Sequence, residues 1–302
     1  MIIAFQGEKG AYSESAVYSL FGQSVETKPC KNFSDVFEFV ERGEAEFGVV
    51  PVENSTEGSV NQTYDLLLSH DLKVCGETIL KIDHCLVASP NTNLNSIKIV
   101  YSHPQALAQC EGFLQQLECD IVATYDTAGS VKMIKERSMK HAGAIASRRA
   151  AELYGMKVLA KGIADNPNNF TRFLVLSKSD RPPCGRDKTS IVFSLRNVPA
   201  SLYRALEEFA ERGINLTKIE SRPTKKSPWE YNFYLDFEGH RNEERCSEAL
   251  VELKKKASFL KVLGSYPRAP TSLPTKSGRR HDLGRFPVRG PMVHPEDTHR
   301  SP

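Results

Sequence analysis

The chain has 302 residues, 40% of them hydrophobic and 25% charged, with a formal net charge of +3. That is room for two ordinary domains whose cores need no staples, and no apolar run approaches the roughly 20 residues of a membrane span. The excess charge lies in residues 271–302, which hold six basic and three acidic residues; the 34 basic and 34 acidic residues of 1–270 balance, which argues against a nucleic-acid surface.

The start, Met1-Ile2-Ile3-Ala4-Phe5-Gln6-Gly7, lacks the basic flank and length of a signal peptide and reads as a buried strand ending at a glycine, so a cytoplasmic protein is expected. From there to residue 178 apolar runs alternate with amphipathic stretches. Strands are predicted at Ile2–Gln6, Glu26–Cys30, Phe47–Val52, Lys73–Ile82, His84–Ala88, Ile97–Tyr101, Asp120–Ala123, Ala142–Ile145, Val158–Ile163 and Thr171–Leu176. Ser59-Val60-Asn61-Gln62 and Ser102-His103-Pro104-Gln105 have capping-box spacing, Asp126-Thr127 precede a helix, and Gly155 follows one as its cap. This order predicts an open α/β sheet divided into two lobes, residues 1–77 with 160–178 and residues 78–159, with a ligand cleft between them.

Residues 179–187 read as a charged, proline-bearing linker. Beyond it the pattern is strand Thr189–Leu195, helix Ala200–Arg212, strand Ile214–Arg222, a turn at Thr224–Pro228, strand Glu230–Glu238, helix Glu243–Ala257 and strand Phe259–Ser265. That is the βαββαβ order of a ferredoxin-like unit over residues 188–268; its two helices cover one sheet face and leave the other for a partner or ligand. The basic, proline-containing tail 269–302 is expected to be disordered.

Seven cysteines form no C-x-x-C pair and eight histidines no metal-ligand spacing, so reduced thiols and no metal or cofactor are expected. The chemistry-bearing segments are polar loops between strands. Gly7–Glu14 opens a helix, and its glycines let backbone N–H groups approach an anion. Pro51–Val60 carries Asn54 and Ser55, whose short side chains either orient a ligand or belong to a plain turn capped by Ser59. Phe170-Thr171-Arg172-Phe173 places a hydroxyl and a guanidinium fork where a loop enters a strand, good equipment for a carboxylate, although the same pair also suits an exposed edge.

Taken in order, Gly-x-x-Gly-Ala-Tyr-Ser, Pro-x-Glu-Asn-Ser-x-x-Gly-x-Val, Ser-His-Pro-Gln-Ala-Leu-Ala-Gln-Cys, Thr-Tyr-Asp-Thr-Ala-Gly-Ser, Ile-Ala-Ser-x-x-Ala-Ala and Thr-Arg-Phe make residues 2–267 resemble the prephenate dehydratases, and Asn215–Pro223 resembles the phenylalanine-sensing segment of their ACT regulatory domain. The resemblance implies a periplasmic-binding-protein-like two-lobed catalytic domain followed by an ACT domain. It also implies a lyase that converts prephenate to phenylpyruvate in phenylalanine biosynthesis, inhibited by L-phenylalanine, with no cofactor. A homodimer or homotetramer is expected by resemblance. With no helical segment before Met1 to supply a chorismate mutase, a monofunctional enzyme is expected. Arogenate dehydratase stays open as an alternative, as does a non-catalytic amino-acid-binding sensor.

In that frame Thr171 is expected to be the catalytic hydroxyl, Arg172 a carboxylate clamp, and Asn54 and Ser55 their catalytic neighbours. Ser13, Ser102, Gln105, Ser147, Phe173 and Glu53 are the substrate-binding candidates; Glu53, which ionised would repel a dianion, is assigned to anchoring its loop rather than to acid catalysis. His103 is a general acid or a structural residue at a helix start. The phenylalanine site is expected to use Ala200, Ser201 and Leu202 at a helix start with Asn215, Leu216, Glu220, Ser221, Arg222 and Pro223. Ala200 stands where the resembled segment has glycine.

Overall fold

The computed structural model describes residues 1–225 and 228–270. The tail expected to be disordered lies outside them from residue 271 onward. Its first residue, Ala269, is buried and donates its N–H to Glu77 Oε1 at 2.9 Å.

The first region runs β1 (Ile2–Gln6), α1 (Tyr12–Phe21), β2 (Glu26–Cys30), α2 (Phe33–Arg42), β3 (Phe47–Asn54), β4 (Gly58–Ser59), α3 (Asn61–Ser69) and β5 (Lys73–Lys81). A second group follows with β6 (Cys85–Ala88), β7 (Ile99–Ser102), α4 (Pro104–Ala108), α5 (Glu111–Leu117), β8 (Asp120–Ala123), α6 (Thr127–Glu136), β9 (Ala142–Ala146), α7 (Arg148–Tyr154) and β10 (Lys157–Lys161). Then β11 (Phe170–Ser177) returns to the first sheet, whose order is β2-β1-β3-β11-β5 with β4 beside β3; the second sheet is β10-β6-β9-β7-β8. The chain therefore crosses between sheets at 82–84 and 162–169. Both crossings lie later than expected, because residues 78–81 continue the β5 pairing with β11 while β10 pairs with β6.

Strand β11 is buried on both faces, and its alternation decides where the site can be. Phe173 and Val175 enter one core, shared with α1, α6 and α7. Leu174 and Leu176 enter the other, which includes α2 and α3. A strand sends successive side chains to opposite faces, so Thr171 shares the side of Phe173 and Arg172 that of Leu174.

The C-terminal unit comprises β12 (Asp187–Ser194), α8 (Ser201–Ala210), β13 (Leu216–Pro223), β14 (Tyr231–Glu238), α9 (Glu244–Lys256) and β15 (Phe259–Pro267), an antiparallel sheet ordered β13-β14-β12-β15. Ile191, Phe193, Leu235 and Phe237 pack under Phe209 and Leu253 of the two helices. The opposite face, expected to be open, is covered by the first lobe: Val192, Tyr234, Leu263 and Tyr266 share a core with Tyr64, Val74, Leu174 and Leu176. Each fully buried valine or leucine among them contributes about 1.5–3 kcal/mol. The approach is so close that a Cβ on Gly264 would lie 2.0 Å from the Val74 carbonyl oxygen, so only glycine fits.

Neither capping box forms as spaced. Val60, not Ser59, is the N-cap of α3, and Ser59 Oγ donates instead to Glu220. His103 Nδ1 caps α4 by accepting from Gln105 N at 3.3 Å, while Ser102 Oγ donates to Ile145 O at 2.6 Å. The Asp126 and Gly155 caps are as expected: Asp126 Oδ1 accepts from Gly129 N at 2.7 Å, and Gly155 is left-handed at φ 65°.

Candidate active site

A cleft of about 440 Å³ opens between the two sheets, in the size range of small-ligand sites. Its walls are built largely from helix starts: Tyr12 and Ser13 of α1, Asn32 and Phe33 of α2, Val60 and Gln62 of α3, and Asp126 and Thr127 of α6. These four helices have nine or ten residues each, so the positive ends of four dipoles lie along one space. Among the described residues, Lys31 is the lysine of the lining, which contains no arginine. Burial lowers the pKa of His84 and of His103, which keeps both rings neutral, and burial raises that of the Asp126 carboxyl. Phe33, Pro51, Val60, Ile82, Ala106 and Phe173 supply an apolar lining beside the polar groups.

Thr171 sits on the cleft wall at the end of a hydrogen-bonded chain. Asn54 Nδ2 donates to Thr171 Oγ1 at 2.9 Å and to Asn169 Oδ1 at 2.7 Å. Asn169 Nδ2 donates to Gln109 Oε1 at 2.8 Å, and His84 Nε2 lies 3.0 Å from the same oxygen. Gln109 Nε2 reaches Thr56 Oγ1 at 3.1 Å and Glu57 Oε1 at 3.3 Å. The orientation of Asn54 is fixed, because its Oδ1 accepts the N–H groups of Thr56 and Glu57 at 3.0 and 3.1 Å. Thr171 Oγ1 therefore accepts from the protein, and its own proton has no protein acceptor among the described residues. It is left to donate into the cleft.

The expected site residues divide by strand parity and by helix face. Asn54, Thr171, Phe173, Ser13 and Gln105 line the cleft. Ser13, Gln105, Gln62, Lys31 and Thr127 present polar side-chain groups without a protein partner among the described residues. Ser55 is displaced to the rim, where it donates to Asn168 O at 3.0 Å and accepts from Phe170 N at 2.9 Å, pinning the loop before β11. Ser102 is fully buried behind the wall. Ser147 is the N-cap of α7 and donates to Gly10 O at 2.7 Å, joining the lobes away from the ligand space. The Gly7–Glu14 loop offers no anion cradle at its glycines, since Gly10 N donates to Glu14 Oε2 at 2.8 Å and Gly7 N to Cys30 O at 2.9 Å.

Arg172 is the main correction. Its Nε meets Glu77 Oε2 at 2.7 Å, its Nη1 Asp236 Oδ2 at 2.6 Å and its Nη2 the Tyr266 hydroxyl at 2.9 Å. Parity on β11 turns it away from the cleft, so it cannot grip a ligand carboxylate beside Thr171. Glu53 shares that far side and pairs with Lys218 at 3.1 Å, which fits an anchoring role. Burial opposes the Asp236 charge, but Arg172, Ser190 and Lys188 outweigh it and hold its carboxyl below the usual range.

The residues expected to sense phenylalanine divide as well. Glu220 engages Ser59 and Lys218, and Arg222 engages Asn61 and Asp65 at the first lobe, so both face the unit boundary rather than an open site. Asn215, Ser221 and Pro223 are exposed, Leu216 is packed into the unit's core, and Ala200, Ser201 and Leu202 form the start of α8. Ala200 is left-handed, at φ 64° and ψ 7°.

Sequence reading missed Asn169, Gln109, His84, Tyr12 and Lys31. Two of them carried a signal: Asn169 lies two positions before Thr171 in the loop that enters β11, and Gln109 lies four after Gln105. Tyr12 and His84 meet only through folding, with the Tyr12 hydroxyl 3.2 Å from His84 Nδ1.

Residues 3–181 match the family model described as prephenate dehydratase. A bifunctional chorismate mutase/prephenate dehydratase of Aquifex aeolicus is 47% identical over 270 residues, covering 88% of this chain and 74% of that one. Arogenate dehydratase/prephenate dehydratase 2, chloroplastic, of Arabidopsis thaliana is 45% identical over 282 residues, covering 90% and 74%. Among solved structures, the prephenate dehydratase of Arthrobacter aurescens in complex with L-Phe superimposes with a TM-score of 0.81 at 34% identity, covering 89% of this chain and 90% of that one. A protein described as a novel type of quorum quenching acylase superimposes with a TM-score of 0.82 at 36% identity, covering 89% and 99%.

Proposed function

The chain belongs to the prephenate dehydratase family, and on that premise we propose that it is a carbon–oxygen lyase converting prephenate to phenylpyruvate. The observation that carries this reading is the Thr171 hydroxyl, which accepts from Asn54 and directs its proton into a cleft walled by four helix starts. In the reaction the bond from ring C1 to the carboxylate breaks and its electron pair enters the ring. The C4–O bond breaks with its pair on oxygen, and the departing hydroxide takes up a proton to leave as water beside carbon dioxide. Aromatisation supplies the driving force, so the protein must hold a dianion, align the two departing groups and stabilise the hydroxide as it forms.

The helix dipoles and Lys31 take the role first expected of Arg172 in holding the carboxylates. Ser13, Gln105 and Thr127 add hydrogen bonds, and Phe173 with Phe33 packs the ring. Thr171 donates to the C4 oxygen as charge develops there. The C-terminal unit acts as an ACT-type regulatory domain that senses L-phenylalanine through the α8 start and the exposed side of β13, without Glu220 and Arg222. The Arthrobacter relative, solved in complex with L-Phe, supports L-phenylalanine as a ligand of this protein.

The test is ultraviolet detection of phenylpyruvate from prephenate and of phenylalanine from arogenate, with L-phenylalanine titrated into the active assay. Product from arogenate alone would make the protein an arogenate dehydratase. Product from neither would favour a non-catalytic sensor. Turnover unaffected by L-phenylalanine would remove the regulatory assignment.

A further inference from the structure

Arg172, turned away from the cleft, is the hub of a buried ionic cluster that the chemistry above does not use. Its three nitrogens reach Glu77 of β5, Asp236 of β14 and Tyr266 of β15. The second oxygen of Asp236 accepts from Ser190 Oγ of β12 at 2.5 Å, and that Oγ lies 2.6 Å from the Tyr266 hydroxyl. Lys188 Nζ shares Glu77 at 2.8 Å. Two strands of the C-terminal sheet thus reach one side chain of β11, and β12 joins them through Ser190.

Burying so many charged groups gives little stability compared with apolar packing of the same volume, whereas it does fix geometry. The geometry fixed here is that of the neighbouring residue. Thr171 is joined to Arg172 by one peptide bond, and the β3–β11 register shifts just beyond Arg172, where Val52 is passed over. The β5 ladder keeps its register from Phe170 to Val175, so the irregularity at the β11 end lies on its β3 edge. Asn54 orients Thr171 from the cleft side, and Asp236 holds the same stretch of backbone from the far side through Arg172.

We propose that Asp236 is a positioning residue for Thr171, acting from the C-terminal unit through the Arg172 guanidinium. This rests on the dehydratase reading, in which Thr171 donates to the departing hydroxyl. Without the Asp236 charge, Nη1 is released toward Glu53, whose Oε2 lies 3.9 Å away, and the β11 end shifts with it. The Thr171 contact tightens as charge develops on the leaving oxygen, so the loss falls on kcat rather than on KM.

Steady-state kinetics of four full-length proteins tests this: wild type, Asp236→Asn, Thr171→Ala and the double variant. Asp236→Asn should lower kcat about tenfold with KM within about twofold. In the Thr171→Ala background the same substitution should change kcat less than about twofold, because the group it positions is gone. Undiminished kcat in Asp236→Asn, or an equal loss in both backgrounds, would overturn the assignment. Should Asp236→Asn not accumulate as folded protein, Tyr266→Phe removes one partner of Arg172 while keeping the ring, and should give about a threefold loss with the same dependence on Thr171. No loss there, or a loss independent of Thr171, overturns it equally. Absence of turnover by the wild type overturns the dehydratase reading and this proposal together. Turnover without the background dependence overturns the proposal alone.

Discussion

Asn54 donates to Thr171 across 2.9 Å, and the reverse direction is closed because the Asn54 oxygen is held by two backbone N–H groups. The polarity of this single bond decides that the Thr171 proton is available to a ligand. Asn54→Asp keeps the size but puts an acceptor where the donor was, so Thr171 would turn its proton back to the protein. It should lower kcat by about 10²-fold, close to the loss in Thr171→Ala, since both remove the same donor. Near-normal kcat in either variant, measured by phenylpyruvate formation, would take this bond out of the mechanism.

Arg172→Lys separates the clamp first expected from the cluster observed. A lysine keeps one charge but cannot meet Glu77, Asp236 and Tyr266 together, so about 1–3 kcal/mol of stability should be lost, as read from urea unfolding. KM for the substrate should change less than about threefold, because the side chain does not line the cleft. A KM raised by tenfold or more at unchanged stability would restore the clamp.

Ala200 occupies a left-handed conformation that disfavours a Cβ. Ala200→Gly should therefore raise stability by about 0.5–1 kcal/mol, the relief of strain exceeding the entropy that glycine adds to the unfolded chain. A variant less stable than the wild type in the same urea titration would show that the strain is absent.

Burial pushes the His84 pKa below its ordinary value of 6.5. The folded protein thus takes up that proton less readily than the unfolded chain. The contribution of His84 to stability is complete above about pH 6.5 and is lost as the pH falls from there through the lowered folded value. His84→Gln, which does not titrate, should be less stable than the wild type at neutral pH, with the gap in Tm narrowing below about pH 6.5. A gap independent of pH would mean that the ring does not titrate against folding.

Much of the fold was legible because alternation and helix starts are local properties of the chain. The β11 strand, the βαββαβ order and the Asp126 cap all follow from runs of fewer than about fifteen residues, where propensity and period act directly. The placement of Thr171 among Asn54, Asn169 and Gln109 was half legible: the nearness of Asn169 in the loop before β11 was open to reading, but the meeting with residue 109 needed the second lobe. What only the tertiary structure decided was the other side of the same strand. Strand parity separates Arg172 from Thr171, yet its destination depends on which carboxylates the packed C-terminal sheet brings within reach. Asp236 and Glu77 are 64 and 95 positions away from it. A buried cation goes to the place that neutralises it, and that place exists only after the C-terminal sheet has closed over the first lobe.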